Sequence, residues 1–261
     1  MNLLILEPSE LSSILPPEDR RVRHVAKVLG KKAGDEIAAG IRVDDPFGPA
    51  PGSIGTARIE RLDEGGMLLS YRAEREAPTL RPIRLILGFP RPIQGGRLLK
   101  DLASLGVADI VLCGTELGEK SYLESDLWKK AEYRGALLEG AEQAANPRIP
   151  RASREWSLRA ALDASLGTKD DPPLPSVAEV AWAEGTSLCL HPGEDCPRLG
   201  SLAAPLPLTL AIGSERGWTD RELRLFKDRG FGFASLGDRI LKTETAAIAA
   251  VSVALSLAGF L

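Results

Sequence analysis

The sequence predicts an α/β protein with a mainly parallel sheet, preceded by a small β-rich module. Its 261 residues are 44% hydrophobic and 26% charged, which is ordinary globular composition and enough for one large or two modest domains. Short apolar runs bounded by turn residues fill the first third of the chain. From Ile83 onward, apolar runs alternate with helical periodicity, the pattern of parallel α/β architecture.

Residues 1–76 form the predicted β-rich module. Apolar alternation or short apolar runs predict strands at Glu36–Val43, Ser53–Leu62 and Met67–Arg75. The segments between them are rich in Asp, Pro and Gly, which is turn chemistry. Pro78 and Pro82 then mark a linker, so we expect domains at residues 1–76 and 77–261.

One helix is predicted inside this module, over Pro17–Gly30, with proline in its first turn and glycine after its end. Val22, Val25, Ala26 and Leu29 share one face of the predicted helix. The opposite face is wholly basic and comprises Arg20, Arg23, His24, Lys27 and Lys31. Two interpretations stay open: a solvated face, or a surface that contacts the phosphate backbone of a nucleic acid.

The second domain is predicted to contain four buried strands and two long helices. The strands are expected at Arg84–Phe89, Val107–Cys113, Thr186–His191 and Pro207–Gly213. The helices are expected at Gly96–Leu105 and Ser125–Ala145. The uncharged segment Thr245–Leu261 falls short of the ~20 strongly apolar residues of a membrane span and predicts a further helix that is buried all round, with a membrane tail anchor as the alternative.

Two glycine-bearing loops leave the ends of successive strands near the C-terminus. The first follows Leu208–Ile212, and a capping box of Thr219 and Glu222 then opens a helix. The second follows Phe231–Ser235. Ligands of α/β sheets bind at such strand ends, although tight turns alone would also explain the glycines. The spacing matches neither the dinucleotide fingerprint nor the P-loop.

Charge and cysteine usage restrict the class of protein. The formal net charge is −3, so any surface for a nucleic acid must be a local patch. Three cysteines are too few for a disulfide framework, which favours a reducing compartment, and the first apolar run is too short for an export signal. Cys189, His191 and Cys196 lie close together but lack paired spacing and a fourth ligand, so we expect no metal.

The C-terminal motifs resemble a known family. The segment Gly213-Ser214-Glu215-Arg216-Gly217-Trp218 is similar to G-P-E-G-G followed by an aromatic residue, and Leu236–Ala246 is similar to L-G-x-R-I-L-[RK]-x-E-T-A. Both are motifs of the methyltransferases that modify N3 of uridine in 16S ribosomal RNA, within the SPOUT (trefoil-knot) superfamily. His24–Asp35, Glu139–Pro150 and Leu188–His191 resemble further segments of that family, so the likeness covers essentially the whole chain.

The resemblance implies a fold and an activity. It implies a PUA-like RNA-binding β-barrel in residues 1–76 and an α/β domain with a deep trefoil knot and a mainly parallel sheet in residues 77–261. It also implies an enzyme that is a cytoplasmic homodimer, methylates N3 of a uridine in 16S ribosomal RNA and uses S-adenosylmethionine as cofactor. Ser214, Arg216 and Gly30 depart from the family pattern. A catalytically weak or inactive RNA-binding paralogue therefore stays open, as does methylation at another RNA position.

The resemblance also implies the site residues. Arg239 is expected to stabilise negative charge on the base, and Glu244 or Glu215 to orient Arg239 or accept a proton, unless these glutamates only form loop salt bridges. The expected cofactor-binding residues are Leu190, His191, Ile212, Gly213, Ser214, Glu215, Gly217, Leu236, Gly237, Ile240, Leu241 and Thr245. The RNA-binding residues are expected from the basic face of the predicted helix instead, and they are Arg20, Arg23, His24, Lys27 and Lys31.

Overall fold

The computed structural model describes residues 1–47, 52–166, 182, 185–193 and 195–261. The chain divides into two compact units. The first comprises Met1–Thr79 together with Ala141–Ile149, and the second comprises Leu80–Gly140 and Pro150–Leu261. The prediction placed one domain boundary between residues 76 and 77. It did not foresee that residues 141–149 belong to the first unit. This arrangement joins segments far apart in the sequence, which local composition does not reveal.

The first unit contains a four-stranded sheet of order β1-β2-β3-β4. Its strands are β1 (Leu4–Leu6), β2 (Glu36–Ile41), β3 (Ser53–Asp63) and β4 (Gly66–Glu76). The pair β1–β2 is parallel, and the other two pairs are antiparallel. Alternate residues of these strands form one core, in which Ala57, Ile59 and Met67 are fully buried.

The helical segment of this unit differs from the predicted Pro17–Gly30 helix. Helix α1 spans only Arg20–Arg23 and continues as a π-helical turn over His24–Val28. The wider turn shifts later residues away from the α-helical spacing. Val22 and Val25 reach the core, but the prediction that Ala26 and Leu29 share their buried face is wrong, because both are exposed.

The second unit contains a six-stranded sheet of order β10-β8-β9-β5-β6-β7. Its strands are β5 (Arg81–Gly88), β6 (Val107–Cys113), β7 (Arg151–Glu155), β8 (Thr186–Leu190), β9 (Leu208–Ile212) and β10 (Gly232–Ala234). Every pairing is parallel, which confirms the predicted mixed α/β fold with a parallel sheet. Strand β7 lies at the sheet edge and is half-buried throughout, so it lacks the apolar run by which the other strands were predicted.

Helices flank this sheet. They are α2 (Pro92–Ser104), α3 (Asp126–Lys129), α4 (Glu132–Gln143), α5 (Leu158–Leu166), α6 (Asp220–Asp228) and α7 (Thr243–Leu257). The predicted helix over Ser125–Ala145 is interrupted at Ala131, which has a φ of 55°. Helix α6 begins with the predicted capping box, in which Thr219 accepts from Glu222 N and the Glu222 carboxylate accepts from Thr219 N.

The terminal helix α7 is not buried all round. Val251 and Ala254 are fully buried by the chain itself, whereas Thr245 and Leu257 are exposed. Substituting Val251 would therefore disturb the core of the second unit whatever the oligomeric state. Among the described residues, no helix combines the length and the apolar character that a membrane crossing needs.

Candidate functional site

A cavity of about 290 Å³ lies at the carboxyl ends of β8, β9 and β10. Its lining includes the predicted residues Leu190, His191, Ile212, Gly213, Ser214, Glu215, Gly217, Leu236, Gly237, Ile240 and Leu241. Thr245, which was also predicted, is exposed on α7 and is not among the lining residues. The parallel sheet brings these strand ends together because all of its strands run in the same direction.

The loop after β9 is a tight turn that needs glycine at two positions. Gly217 N donates to Ser214 O at 2.8 Å, and Gly217 has a φ of +71°. A Cβ on Gly213 would lie only 2.8 Å from the backbone carbonyl carbon of Gly217. A side chain at Gly213 would therefore force the two arms of the turn apart. The Thr115 hydroxyl donates to the Ser214 hydroxyl at 3.1 Å and fixes the side chain that replaces the family's proline.

The loop after β10 is tied to the first loop by a buried hydroxyl. Thr243 is 3% exposed, and its Oγ1 donates to the carbonyl oxygen of Gly213 at 3.1 Å. Lys242 is the N-cap residue of α7, and its side chain makes no hydrogen bond to the first turn of the helix. Gly237 has a φ of +120°, a conformation that glycine adopts without strain. The two loops therefore form one connected wall of the cavity.

The charged residues predicted to act on the substrate occupy different positions. Arg239 and Glu215 are exposed and line the cavity, whereas Glu244 lies on α7 outside the lining. A Glu215 oxygen lies 3.4 Å from the backbone N–H of Arg91, which donates to it. Within the described part of the chain, no ion pair involves Arg239, Glu215 or Glu244, so the alternative of loop salt bridges has no support there.

Trp218 supplies a test of what the cavity can hold. It is 6% exposed, packs edge-on against Phe226 at 4.9 Å between ring centroids, and lines the cavity. Its indole N–H is buried, and no described residue accepts from it. Leaving such a donor unsatisfied costs about 1–3 kcal/mol. Apolar walls, close backbone turns and one free donor fit a flat nucleoside with ring acceptors, as the adenosine of S-adenosylmethionine has. The family motif has an aromatic residue of any kind at this position, so the sequence did not predict an indole N–H there.

The basic residues of the first unit do not form one equivalent set. Arg20 makes a bidentate ion pair with Glu142, at 2.8 and 2.7 Å, and the Glu142 side chain is only 2% exposed. Arg23 and Lys27 are exposed, and Lys31 is half-exposed. The ion pair gives Arg20 a structural role that the helical periodicity did not predict.

His24 also differs from a solvated basic residue. Its side chain is half-buried at the start of the π-helical turn. The Nε2 atom is buried and has no hydrogen-bond partner among the described residues. The predicted uniform basic face is therefore reduced to Arg23, Lys27 and Lys31.

Comparisons with known proteins identify the family to which the chain is similar. A family model for an RNA methyltransferase domain matches residues 76–255. The ribosomal RNA small subunit methyltransferase E of Treponema pallidum is 36% identical, over 98% of this chain and 91% of that protein. The ribosomal RNA small subunit methyltransferase E 1 of Borreliella burgdorferi is 26% identical, over 96% of this chain and 95% of that protein.

Solved structures give the same result. The crystal structure of a ribosomal RNA small subunit methyltransferase E from Neisseria gonorrhoeae, bound to S-adenosyl methionine, is 25% identical and superposes with a TM-score of 0.70 over 98% of both chains. A Legionella pneumophila structure of a putative methyltransferase, at 24% identity, has a TM-score of 0.70 over 98% of this chain and 97% of that one, and supports the fold. Because similarity of this strength extends over nearly the whole chain, the protein belongs to the ribosomal RNA small subunit methyltransferase E family of RNA methyltransferases.

Proposed function

We propose that the protein methylates N3 of a uridine in 16S ribosomal RNA, with S-adenosylmethionine as the methyl donor. The observation that carries this proposal is the cavity at the carboxyl edge of the parallel sheet, walled by the two loops that match the family motifs. When bound, the cofactor supplies a methyl group on a positively charged sulfur. The protein's task is then to hold donor and acceptor in line and to manage the proton on the base.

The cofactor is held by backbone and apolar side chains. Leu190, Ile212 and Leu241 provide apolar walls for the adenine ring. The turn around Gly213 would let the backbone approach the ligand closely, and the Trp218 N–H would be available to one of its acceptors. These contacts require the turn geometry described above, so the glycines act by allowing close approach.

Arg239 and Glu215 act on the uridine. N3 of uridine carries a proton at neutral pH, so methylation there requires removal of that proton or stabilisation of the negative charge that develops on the base. Arg239 lies at the cavity wall and has no ion-pair partner among the described residues, so its charge is available for this purpose. Glu215 lines the same cavity and accepts the proton or orients Arg239, a role for which Glu244 is less suited because it lies outside the lining.

The first unit binds the RNA backbone. We propose that it is a PUA-like module and that Arg23, Lys27 and Lys31 contact phosphates, with His24 beside them. The overall charge of −3 means that this local patch, and no general basic field, supplies the attraction.

We also propose that the second unit is knotted and dimeric. Strand β9 lies between β8 and β5, and Thr243 ties the start of the last helix to the loop after β9, an arrangement compatible with the trefoil knot. Exposed apolar residues of this unit, including Ile93, Phe260 and Leu261, support contact with a second copy. A cytoplasmic location follows from ribosomal RNA as the substrate.

The test is methylation of RNA from a strain that lacks the corresponding gene. Purified protein, S-adenosylmethionine, and either free 16S RNA or 30S subunits are incubated, and nucleosides are identified by mass spectrometry. We expect 3-methyluridine, and we expect Arg239→Gln to reduce the rate at least 10-fold while leaving cofactor affinity unchanged. A different methylated nucleoside would support action at another position.

A second candidate function is an inactive RNA-binding paralogue. It is favoured by Arg216, which stands in the cofactor loop where the family has glycine and which lines the cavity. Titration with S-adenosylmethionine decides between the two functions, since a paralogue that has lost catalysis need not bind it. RNA binding without cofactor binding would favour the paralogue over the enzyme.

A further inference from the structure

A second and larger groove, of about 970 Å³, lies at the same carboxyl edge of the sheet, beyond β5, β6 and β7. Apart from the residues of α6, none of its lining residues lies in the motifs that carry the family resemblance. Phe89, Thr115 and Trp156, which follow the three strands, lie in its lining. The Thr115 hydroxyl donates to the Ser214 hydroxyl at 3.1 Å, so the wall of the groove contacts the wall of the cofactor cavity.

Trp156 presents an open aromatic ring in this groove. It is 59% exposed, although it follows a strand and precedes α5. The guanidinium of Arg154 lies 5.1 Å from its ring centroid, and Arg154 is itself held by the carbonyl oxygen of Leu123. A ring supported by a cation and open to solvent is the platform on which proteins stack unpaired nucleobases.

Three cations in the lining of this groove have no ion-pair partner among the described residues. Lys120, Arg159 and Arg224 line the groove, and none of them forms an ion pair with another described residue. Arg159 lies in the first turn of α5, three residues after Trp156. Base stacking and phosphate pairing are therefore both available within one groove.

Three of the five acids that line the groove are hydrogen-bonded or ion-paired within the protein. Glu222 is 4% exposed and accepts from the backbone N–H groups of Glu116 and Thr219, both at 2.9 Å. Glu116 accepts from the Thr219 hydroxyl at 2.7 Å and lies 3.6 Å from Arg221. Glu124 lies 3.4 Å from Lys129. Glu119 and Asp228 also line the groove and form no ion pair with another described residue, so attraction for a phosphate depends on where Lys120, Arg159 and Arg224 present their charges.

We propose that this groove binds an unpaired nucleotide of the RNA substrate, with its base stacked on Trp156 and its phosphates on Arg159 and Arg224. The inference rests on the proposed function, because methyl transfer brings the acceptor nucleotide to the neighbouring cavity. An RNA strand that reaches that cavity along the sheet edge passes the groove. A nucleotide adjacent to the acceptor is then held in an unstacked conformation.

The experiment measures binding of 16S ribosomal RNA and 30S subunits to the full chain across a salt series, with S-adenosylhomocysteine binding as an internal control. Trp156→Leu removes the ring, and Trp156→Phe retains one. Arg224→Gln removes a groove cation, and Lys227→Gln is its matched control, since Lys227 lies on the same helix outside the lining. Urea unfolding of each variant checks that the fold is intact.

We expect Trp156→Leu to weaken RNA binding about 10-fold with an unchanged salt slope, and Trp156→Phe to stay within about threefold of the wild type. Arg224→Gln should lower the salt slope by about 0.7, and Lys227→Gln should not. Wild-type affinity in Trp156→Leu, or equal slopes for the two helix variants, would overturn the inference. If the wild type binds cofactor but no RNA, the proposed function fails together with the inference. If the wild type binds RNA and the groove variants bind it equally well, only the inference about the groove fails.

Discussion

The ion pair between Arg20 and Glu142 leads to a prediction about stability that distinguishes Arg20 from the other basic residues of its helix. Glu142 is 2% exposed, and Arg20 is the only described side chain that donates to its carboxylate. Arg20→Gln leaves that charge buried without a counter-ion. Breaking a buried pair costs about 3–5 kcal/mol, but Arg20 is itself 46% exposed, so water can partly replace it. We expect a loss of about 2–3 kcal/mol in the free energy of unfolding.

Urea unfolding of the full chain measures this loss, with Arg23→Gln as the matched control. Arg23 is exposed and forms no ion pair with another described residue, so its substitution should change stability by at most about 0.5 kcal/mol. The double variant Arg20→Gln with Glu142→Gln removes both charges and should recover most of the loss. That recovery, evaluated as a double-mutant cycle, isolates the coupling between the two side chains.

RNA binding gives the result that would refute this reasoning. If Arg20 and Arg23 variants are equally stable, and both lower the salt slope of RNA affinity, then Arg20 contacts phosphate as the sequence predicted. If only Arg23→Gln lowers the slope, Arg20 anchors the helix and Arg23 faces the RNA.

Three further predictions concern the cofactor loops and the thiols. Gly213→Ala places a Cβ 2.8 Å from backbone across the turn and should weaken S-adenosylhomocysteine binding at least 10-fold by calorimetry, whereas Gly135→Ala, in open space on α4, should not weaken it. Trp218→Phe removes the unsatisfied N–H and should lower cofactor affinity about fivefold or more; unchanged affinity would show that the donor does not face the ligand. Burial raises the pKa of the Cys189 thiol, so Cys189 stays protonated at neutral pH and should be alkylated far more slowly than the half-exposed Cys196, a difference that mass spectrometry of the labelled chain would reveal.

The sequence alone predicted the parts of the fold that depend on local patterns. Apolar runs alternating with helical segments predicted the parallel sheet, because strands covered on both faces by helices are apolar throughout. Strand β7 was missed for the same physical reason: Arg151–Glu155 is half-buried at an edge and carries no such run. The order of strands and loops also placed Gly213 and Gly237 at one sheet edge, where the cavity lies.

Tertiary structure decided which side chains meet. Arg20 and Glu142 are 122 residues apart, and a buried carboxylate needs a partner wherever the fold brings one, so helical periodicity could not assign Arg20 its role. The Thr243 hydroxyl donates to the carbonyl oxygen of Gly213, 30 residues earlier, because the fold brings the loop after β9 against the start of α7. The groove around Trp156 joins segments from three strand ends, none of which carries a recognisable motif. Local patterns specify secondary structure and the chemistry of a motif, whereas burial, pairing and the shape of a groove depend on residues that only the folded chain brings together.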